Sequence, residues 1–203
     1  MKKTIIFILL TIIVFLSFLL FQSEPKIRNT KPTGENIICF GNSLTYGTGA
    51  NTGMDYPSQL SRMISRPVFN LGVPGDTTTA ALERLEEDIM SRFPRIVLIT
   101  LGGNDLKNGI QKEEVFNNLR VIITSIQDRG ALVIVGGIDV PFLGNGFGKA
   151  YKEICNELGA VLIPNIFEGI IGNSKLMSDR IHPNDAGYAI IAKRFYEALK
   201  PYL

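Results

Sequence analysis

The chain has one histidine and two cysteines, and each scarcity narrows what it can do. A mechanism that needs imidazole as a general base has to use His182, because the chain has no other histidine. Two thiols in 203 residues do not make a disulfide framework. Cys39 lies in an apolar run and Cys155 in a helical stretch, so both are expected as buried free thiols. No group of residues has metal-ligand spacing, and neither a metal nor another cofactor is expected. Charge of one sign is scarce too. The formal net charge of +2 comes from Lys2 and Lys3, and without them basic and acidic residues balance at 19 each. A neutral body with no basic run argues against a nucleic-acid partner. There is no internal repeat, and no low-complexity segment beyond the apolar N-terminus.

One long hydrophobic run is present. Thr4–Phe21 carries no charge over 18 residues and follows Lys2 and Lys3. As a helix rising about 1.5 Å per residue it would span roughly 27 Å, close to the apolar thickness of a bilayer. It is longer than the apolar region of a cleaved signal, and Phe21-Gln22-Ser23-Glu24-Pro25 offers no small-x-small cleavage site. Residues 1–22 are therefore expected to be a membrane anchor or signal segment, with the lysines inside and the body outside. The body would be secreted or periplasmic if the segment were removed. Residues 23–35 are polar, include Pro25 and Pro32, and read as an extended linker.

Residues 36–203 form the expected domain, of ordinary size for one core and expected to be monomeric. Short apolar runs at Asn36–Phe40, Pro67–Leu71, Arg95–Leu101, Ala131–Gly136 and Ala160–Ile163 alternate with stretches of helical period. Val115, Leu119, Ile122, Ile123 and Ile126 share one helical face, and Leu82, Leu85, Ile89 and Phe93 share another. The alternation predicts an α/β fold: a three-layer α/β/α sandwich with a five-stranded parallel sheet, flavodoxin-like, preceded by one N-terminal apolar helix. Ligand sites in such sheets lie at the carboxyl ends of the strands.

The loops at those ends carry the candidate chemistry. The first strand runs into Gly41-Asn42-Ser43-Leu44, where flanking glycines allow a sharp turn that presents a hydroxyl and a backbone N–H. The second leads to Gly75-Asp76-Thr77-Thr78, and the third to Gly102-Gly103-Asn104-Asp105. Asp179 precedes His182 by three residues, so one tight turn can bring its carboxylate to the imidazole. Each has a plainer reading. Ser43 and Asp76 would serve as helix caps, Asn104 as a turn residue, and His182 as a structural residue beside the last helix, whose first turn suits Pro183. Together they supply a nucleophile, a base, an orienting acid and three oxyanion donors, the inventory for acyl transfer.

These four blocks, in this order, resemble the SGNH hydrolases, also called the GDSL esterase/lipase family. The resemblance covers nearly everything from Asn36 to Leu203, and points to the bacterial thioesterase, lysophospholipase and arylesterase branch. It implies that Ser43 attacks an ester carbonyl, that His182 takes its proton and that Asp179 orients the ring. The backbone N–H groups of Ser43 and Gly75 and the Asn104 side chain would form the oxyanion hole. Asn42 stands where the family usually has aspartate, which affects local hydrogen bonding rather than the triad. An ester substrate is then the expected small-molecule partner.

Phe142, Leu143 and Phe147 follow the fourth strand and either line an acyl pocket or pack their loop down. A flavodoxin-like binding module is the alternative, since Gly41–Gly53 is glycine-rich. It lacks a P-loop lysine and the G-x-G-x-x-G spacing, and gives Asp179 and His182 no role. A catalytically silent domain that holds polysaccharide is a third reading. A standard α/β-hydrolase is disfavoured by the lack of G-x-S-x-G.

Overall fold

Five short apolar runs can be buried on both faces only if helices cover both sides of the sheet they form. The computed structural model describes residues 26–139 and 146–203. The anchor segment Thr4–Phe21, together with Phe142 and Leu143, lies outside the described residues. Among those described, no helix is long and apolar enough to cross a membrane.

The strands are β1 (Asn36–Gly41), β2 (Val68–Gly72), β3 (Pro94–Thr100), β4 (Leu132–Gly136) and β5 (Val161–Ile163). They pair in parallel in the order β2-β1-β3-β4-β5. Each coincides within a residue or so with an apolar run. In β3 and β4 burial is nearly complete, with Ile96, Val97, Leu98, Ile99 and Leu132–Ile134 at 0% exposure. The edge strand β2 is partly exposed, in keeping with its single paired side.

The helices are α1 (Ser43–Tyr46), α2 (Tyr56–Ile64), α3 (Thr78–Glu83), α4 (Leu85–Asp88), α5 (Gly103–Lys107), α6 (Lys112–Asp128), α7 (Phe147–Leu158) and α8 (Asp185–Leu199). α2 packs on α8, with Tyr56 stacked on Phe195 at 4.9 Å, while α6 packs on α3 and α7. The helices thus fall into two groups, one for each face of the sheet. The stripe Val115, Leu119, Ile122, Ile123 and Ile126 is buried throughout.

The expected Leu82–Phe93 face differs in its last member. The stretch is not one helix: α3 and α4 are joined at Arg84, a 3-10 turn covers Met90–Arg92, and Phe93 is left-handed and 70% exposed. The helix cannot run on, because Pro94 follows immediately and disfavours helical backbone at the residue before it.

The polar segment before β1 is docked rather than free from Arg28 onward. Arg28 N–H donates to the Gly159 carbonyl, Thr33 N–H to Gly130 and Glu35 N–H to Phe93. The Asn29 side chain donates to the carbonyls of Gln127 and Ala131 at 2.8 and 2.9 Å. Polar composition kept this segment at the surface but did not keep it mobile, because its amides satisfy carbonyls that would otherwise need water. These partners precede β5, β4 and β3, so the chain enters along the amino edge of the sheet.

Both thiols are buried and free, as expected. Burial pushes the Cys155 thiol up to about 12 and Cys39 higher still.

Leu98 sits fully buried in the central strand β3. Leu98→Ala should lower stability by about 3 kcal/mol through lost transfer energy and the cavity left behind. Urea unfolding checks this; a change below about 1 kcal/mol would mean the core collapses around the site.

Candidate active site

The carboxyl edge of the sheet gathers the loops singled out above. β1 stops at Gly41 and Asn42 caps α1, its Oδ1 accepting from Leu44 N–H at 3.0 Å. A Cβ at Gly41 would lie 2.5 Å from the Thr100 carbonyl oxygen, so β1 and β3 approach this closely only with glycine there. Gly47, at φ 96°, ends the single helical turn by donating to the Ser43 carbonyl at 3.0 Å. Ser43 is the first residue of that turn, half-buried. Beneath it, the Tyr56 hydroxyl hydrogen-bonds both Thr45 Oγ1 (3.0 Å) and Thr100 Oγ1 (2.9 Å), tying the turn to β3 inside the core.

His182 reaches Ser43 from the far end of the chain. Its Nε2 lies 3.0 Å from Ser43 Oγ, and its Nδ1 lies 2.7 Å from Asp179 Oδ2. Asp179 Oδ1 accepts the backbone N–H groups of Ile181 and His182, both at 2.8 Å, which forms the tight turn that the spacing implied. The hydrogen bond to the His182 ring, helped by that from Ile181 N–H, draws the Asp179 carboxyl down to about 2. An ionised carboxylate can only accept, so the Nδ1 proton faces Asp179 and the Nε2 lone pair faces the serine hydroxyl.

Pro183 does not enter the last helix. It pairs with Met177 in an isolated antiparallel bridge, and Asn184 is the cap, accepting from Ala186 and Gly187 N–H. An asparagine supplies the side-chain acceptor that proline lacks, so the helix starts one residue beyond it.

Asn104 lies in the first turn of α5, its Nδ2 donating to the Asp76 carbonyl at 2.8 Å. That bond brings the Gly75 turn beside Asn104. Gly75 is exposed at φ 89°, and its N–H has no acceptor among the described residues. Asp76 does not cap α3; Thr77 does. Asp76 instead pairs with Arg84 at 2.6 Å, and burial raises its carboxyl above the usual range while Arg84 pulls the other way.

Three supporting residues escaped the sequence reading: Asp105, Arg84 and Tyr56. Asp105 is fully buried and accepts from Thr78 N–H and Thr78 Oγ1, locking the loop after β2 to the loop after β3. Arg84 donates to the carbonyls of Gly41, the last residue of β1, and Leu71, the last but one of β2, and lies 4.3 Å over the Phe40 ring. The signal for Asp105 was a carboxylate in the short Gly-Gly-Asn-Asp block that follows the largely apolar strand β3. Arg84 and Tyr56 gave none, because their partners are distant in sequence.

Ser43, His182 and Asn104 open into one pocket of about 500 Å³. Leu44, Leu106, Ile138, Phe167, Ile171 and Ile181 supply its apolar lining, with Lys107 and Arg180 as its charged members. Phe147 is not among the lining residues. It is buried against Phe116 and Tyr151 in edge-to-face contacts, so it packs its helix down rather than shaping the pocket. Residues 161–182 supply much of the apolar wall, a part of the chain that carried no pocket expectation. Among the described residues no cluster of His, Cys, Asp or Glu could hold a metal.

Residues 39–190 match the GDSL-like lipase/acylhydrolase family, and the chain belongs to it. This agrees with the resemblance carried by the four sequence blocks. Esterase TesA of Pseudomonas aeruginosa is 26% identical over 181 residues, covering 83% of this chain and 90% of that protein. Thioesterase 1/protease 1/lysophospholipase L1 of Escherichia coli is 27% identical, covering 82% of this chain and 84% of that protein. A crystal structure of TesA superposes with a TM-score of 0.79 at 26% identity, covering 83% of this chain and 100% of that one.

The depressed Asp179 carboxyl makes a pH prediction. Its folded-state value is below its unfolded one, so its contribution to stability is present above about pH 4 and is lost as pH falls to about 2. In acid titrations followed by circular dichroism, the stability difference between wild type and Asp179→Asn should shrink over that window. A difference constant from neutral pH to about 2 would show that the carboxylate gains nothing from folding.

Proposed function

We propose that the protein is a serine esterase that hydrolyses carboxylic acyl or aryl esters through Ser43, His182 and Asp179. The observation that carries this reading is the continuous hydrogen-bonded line Asp179 Oδ2–His182 Nδ1 and Nε2–Ser43 Oγ, at 2.7 and 3.0 Å, opening into an apolar pocket. His182 Nε2 takes the Ser43 proton as Oγ attacks the acyl carbon. The carbonyl oxygen, now an anion, is met by the N–H groups of Ser43 and Gly75 and by the Asn104 amide. Collapse of this intermediate expels the alcohol, or a thiol in a thioester, which takes the proton from His182. Water then gives a proton to His182 and attacks the acyl-serine, releasing the acid and restoring Ser43. Asp179 keeps the ring in the required tautomer and stabilises the transient imidazolium. Names such as thioesterase, lysophospholipase and arylesterase among the relatives support acyl transfer to water as the reaction class. Thr4–Phe21, by its length and lack of charge, supports a body held at the outer face of a membrane.

A fluorophosphonate probe should label wild type, and Ser43→Ala should abolish labelling and lower p-nitrophenyl ester turnover by on the order of 10³-fold or more. Asn104→Ala should lower kcat by roughly 10²–10³-fold with little change in KM, since its amide acts mainly in the transition state. Labelling that survives in Ser43→Ala would overturn the assignment, and a raised KM with kcat intact would make Asn104 a ground-state contact. Full-length protein should stay with membranes through a carbonate wash; a mature N-terminus near residues 22–30 in the soluble extracytoplasmic fraction would overturn the anchor.

A further inference from the structure

Ser43 and His182 are 139 residues apart in the chain. The bonds from Asp179 orient the His182 ring within its own turn, but they do not fix how far that turn sits from Ser43. Contacts from the segment that follows the nucleophile bear on that distance. Residues 47–55 link α1 to α2 and cross to the His182 turn on the way. The Thr48 carbonyl accepts from the buried Tyr188 hydroxyl at 2.8 Å. Asn51, midway along the loop, donates its backbone N–H to Asp185 Oδ1 and its Nδ2 to Asp185 Oδ2, both at 2.8 Å. Gln59, buried in α2, donates to the carbonyls of Met54 at 2.6 Å and Asp185 at 3.1 Å. Asp185 is the first residue of α8 and stands three residues beyond His182. Both of its carboxylate oxygens are thus taken by one residue of the nucleophile's own segment. The Asn51 side chain and then its backbone N–H hold the Asp185 carboxyl below the usual carboxylate range, so it is an anion that can only accept. Between these ties Gly49, at φ 93°, lies against the turn. A Cβ there would meet the Pro183 carbonyl oxygen at 2.7 Å, Ser178 Cβ at 2.8 Å and His182 Cβ at 3.3 Å. Neither Asn51 nor Asp185 lines the pocket.

We infer that Asn51 and Asp185 are positioning residues: they form a clasp that holds the loop after Ser43 onto the His182 turn and so sets the reach of Nε2 to Ser43 Oγ. The inference rests on the esterase reading above and adds the long-range contact that keeps base and nucleophile together. Gly49 transmits the clasp, because without a side chain it lets the loop backbone touch the turn beside His182 Cβ. Proton transfer across the 3.0 Å gap is sensitive to such a contact, since a misplacement of about 1 Å can cost on the order of 10²-fold in rate. The clasp is exposed and water competes for its groups, which puts the expected loss below that limit. Substrate binding is left alone, because neither residue opens into the pocket.

The chemistry of the clasp permits a rescue. In Asn51→Asp two carboxylates face each other. Adding Asp185→Asn again sets an amide against a carboxylate, with the side-chain donor reversed, and the backbone N–H at position 51 keeps an acceptor. Asn51→Asp should lower kcat for p-nitrophenyl butyrate and the second-order rate of fluorophosphonate labelling by roughly tenfold, with KM and the final labelled fraction unchanged. The Asn51→Asp/Asp185→Asn double variant should recover to within about twofold of wild type. Asn51→Ala adds no charge and keeps the backbone bond; it should be slowed about threefold by the same measures, and carries the test should Asn51→Asp not fold. Loss of folded protein would lower the labelled fraction rather than the rate. With one histidine in the chain, the imidazole signals in a proton–nitrogen NMR spectrum belong to His182 alone. They should move or broaden in Asn51→Asp and return in the double variant. A wild-type labelling rate in both single variants, or a slowed rate that the double variant does not recover, would overturn the inference. Wild type that takes no label would strike the esterase reading instead. The imidazole spectrum then still decides the clasp, and signals unchanged in Asn51→Asp would overturn it.

Discussion

The Arg84 guanidinium ties the carboxyl ends of β1 and β2 to the loop that follows β2. It holds the carbonyls at the ends of β1 and β2, covers Phe40, and pairs with Asp76 and Asp88. Asp76 in turn offers its carbonyl to Asn104. The turn that begins at Ser43 and the amide of Asn104 are therefore referred to one cation. A partly buried charge is costly unless its donors are met, and removing one partner of such a pair is more damaging than never having built it. The desolvation that raises the Asp76 carboxyl is the visible side of that cost.

The sheet separates two tasks by its two edges. At the carboxyl edge, parallel strands end in exposed backbone and short loops, where Ser43, Asn104 and the Asp179–His182 turn converge. At the amino edge, residues 28–35 are laid across the turns that lead into β3, β4 and β5. The buried core of β1, β3 and β4 lies between this docked segment and the pocket.

Support for the site comes in layers. Asp179 fixes the ring of His182 and is itself held by two backbone N–H groups. Asp105 does the same for the loops that present Gly75 and Asn104, and Tyr56 for the turn that presents Ser43. Neither Asp105 nor Tyr56 lines the pocket, so their contribution is position, not chemistry.

Much of this was legible in the chain. Five short apolar runs alternating with helical stretches implied a five-stranded parallel sheet, and the interior strands β3 and β4 carry the runs most fully buried, because only such runs tolerate burial on both faces. A single histidine left no choice of imidazole, and three-residue spacing put Asp179 within one turn of it. Local rules suited Pro183 to the first turn of the last helix, offered Asp76 as a cap and set Phe93 on a helical face, and in each case a neighbour decided otherwise: Asn184 and Thr77 are the caps, and Pro94 follows Phe93. Phe147 was legible as apolar but not as inward-facing. What only the tertiary structure decided are the contacts made across long separations: Arg84 to Gly41, Asp105 to Thr78, His182 to Ser43, and the apolar wall from residues 161–182. Sequence pattern reports the periodicity of an element and the chemistry of its ends. It carries no distance between elements, and these contacts exist only once packing has brought the carboxyl ends of the strands together.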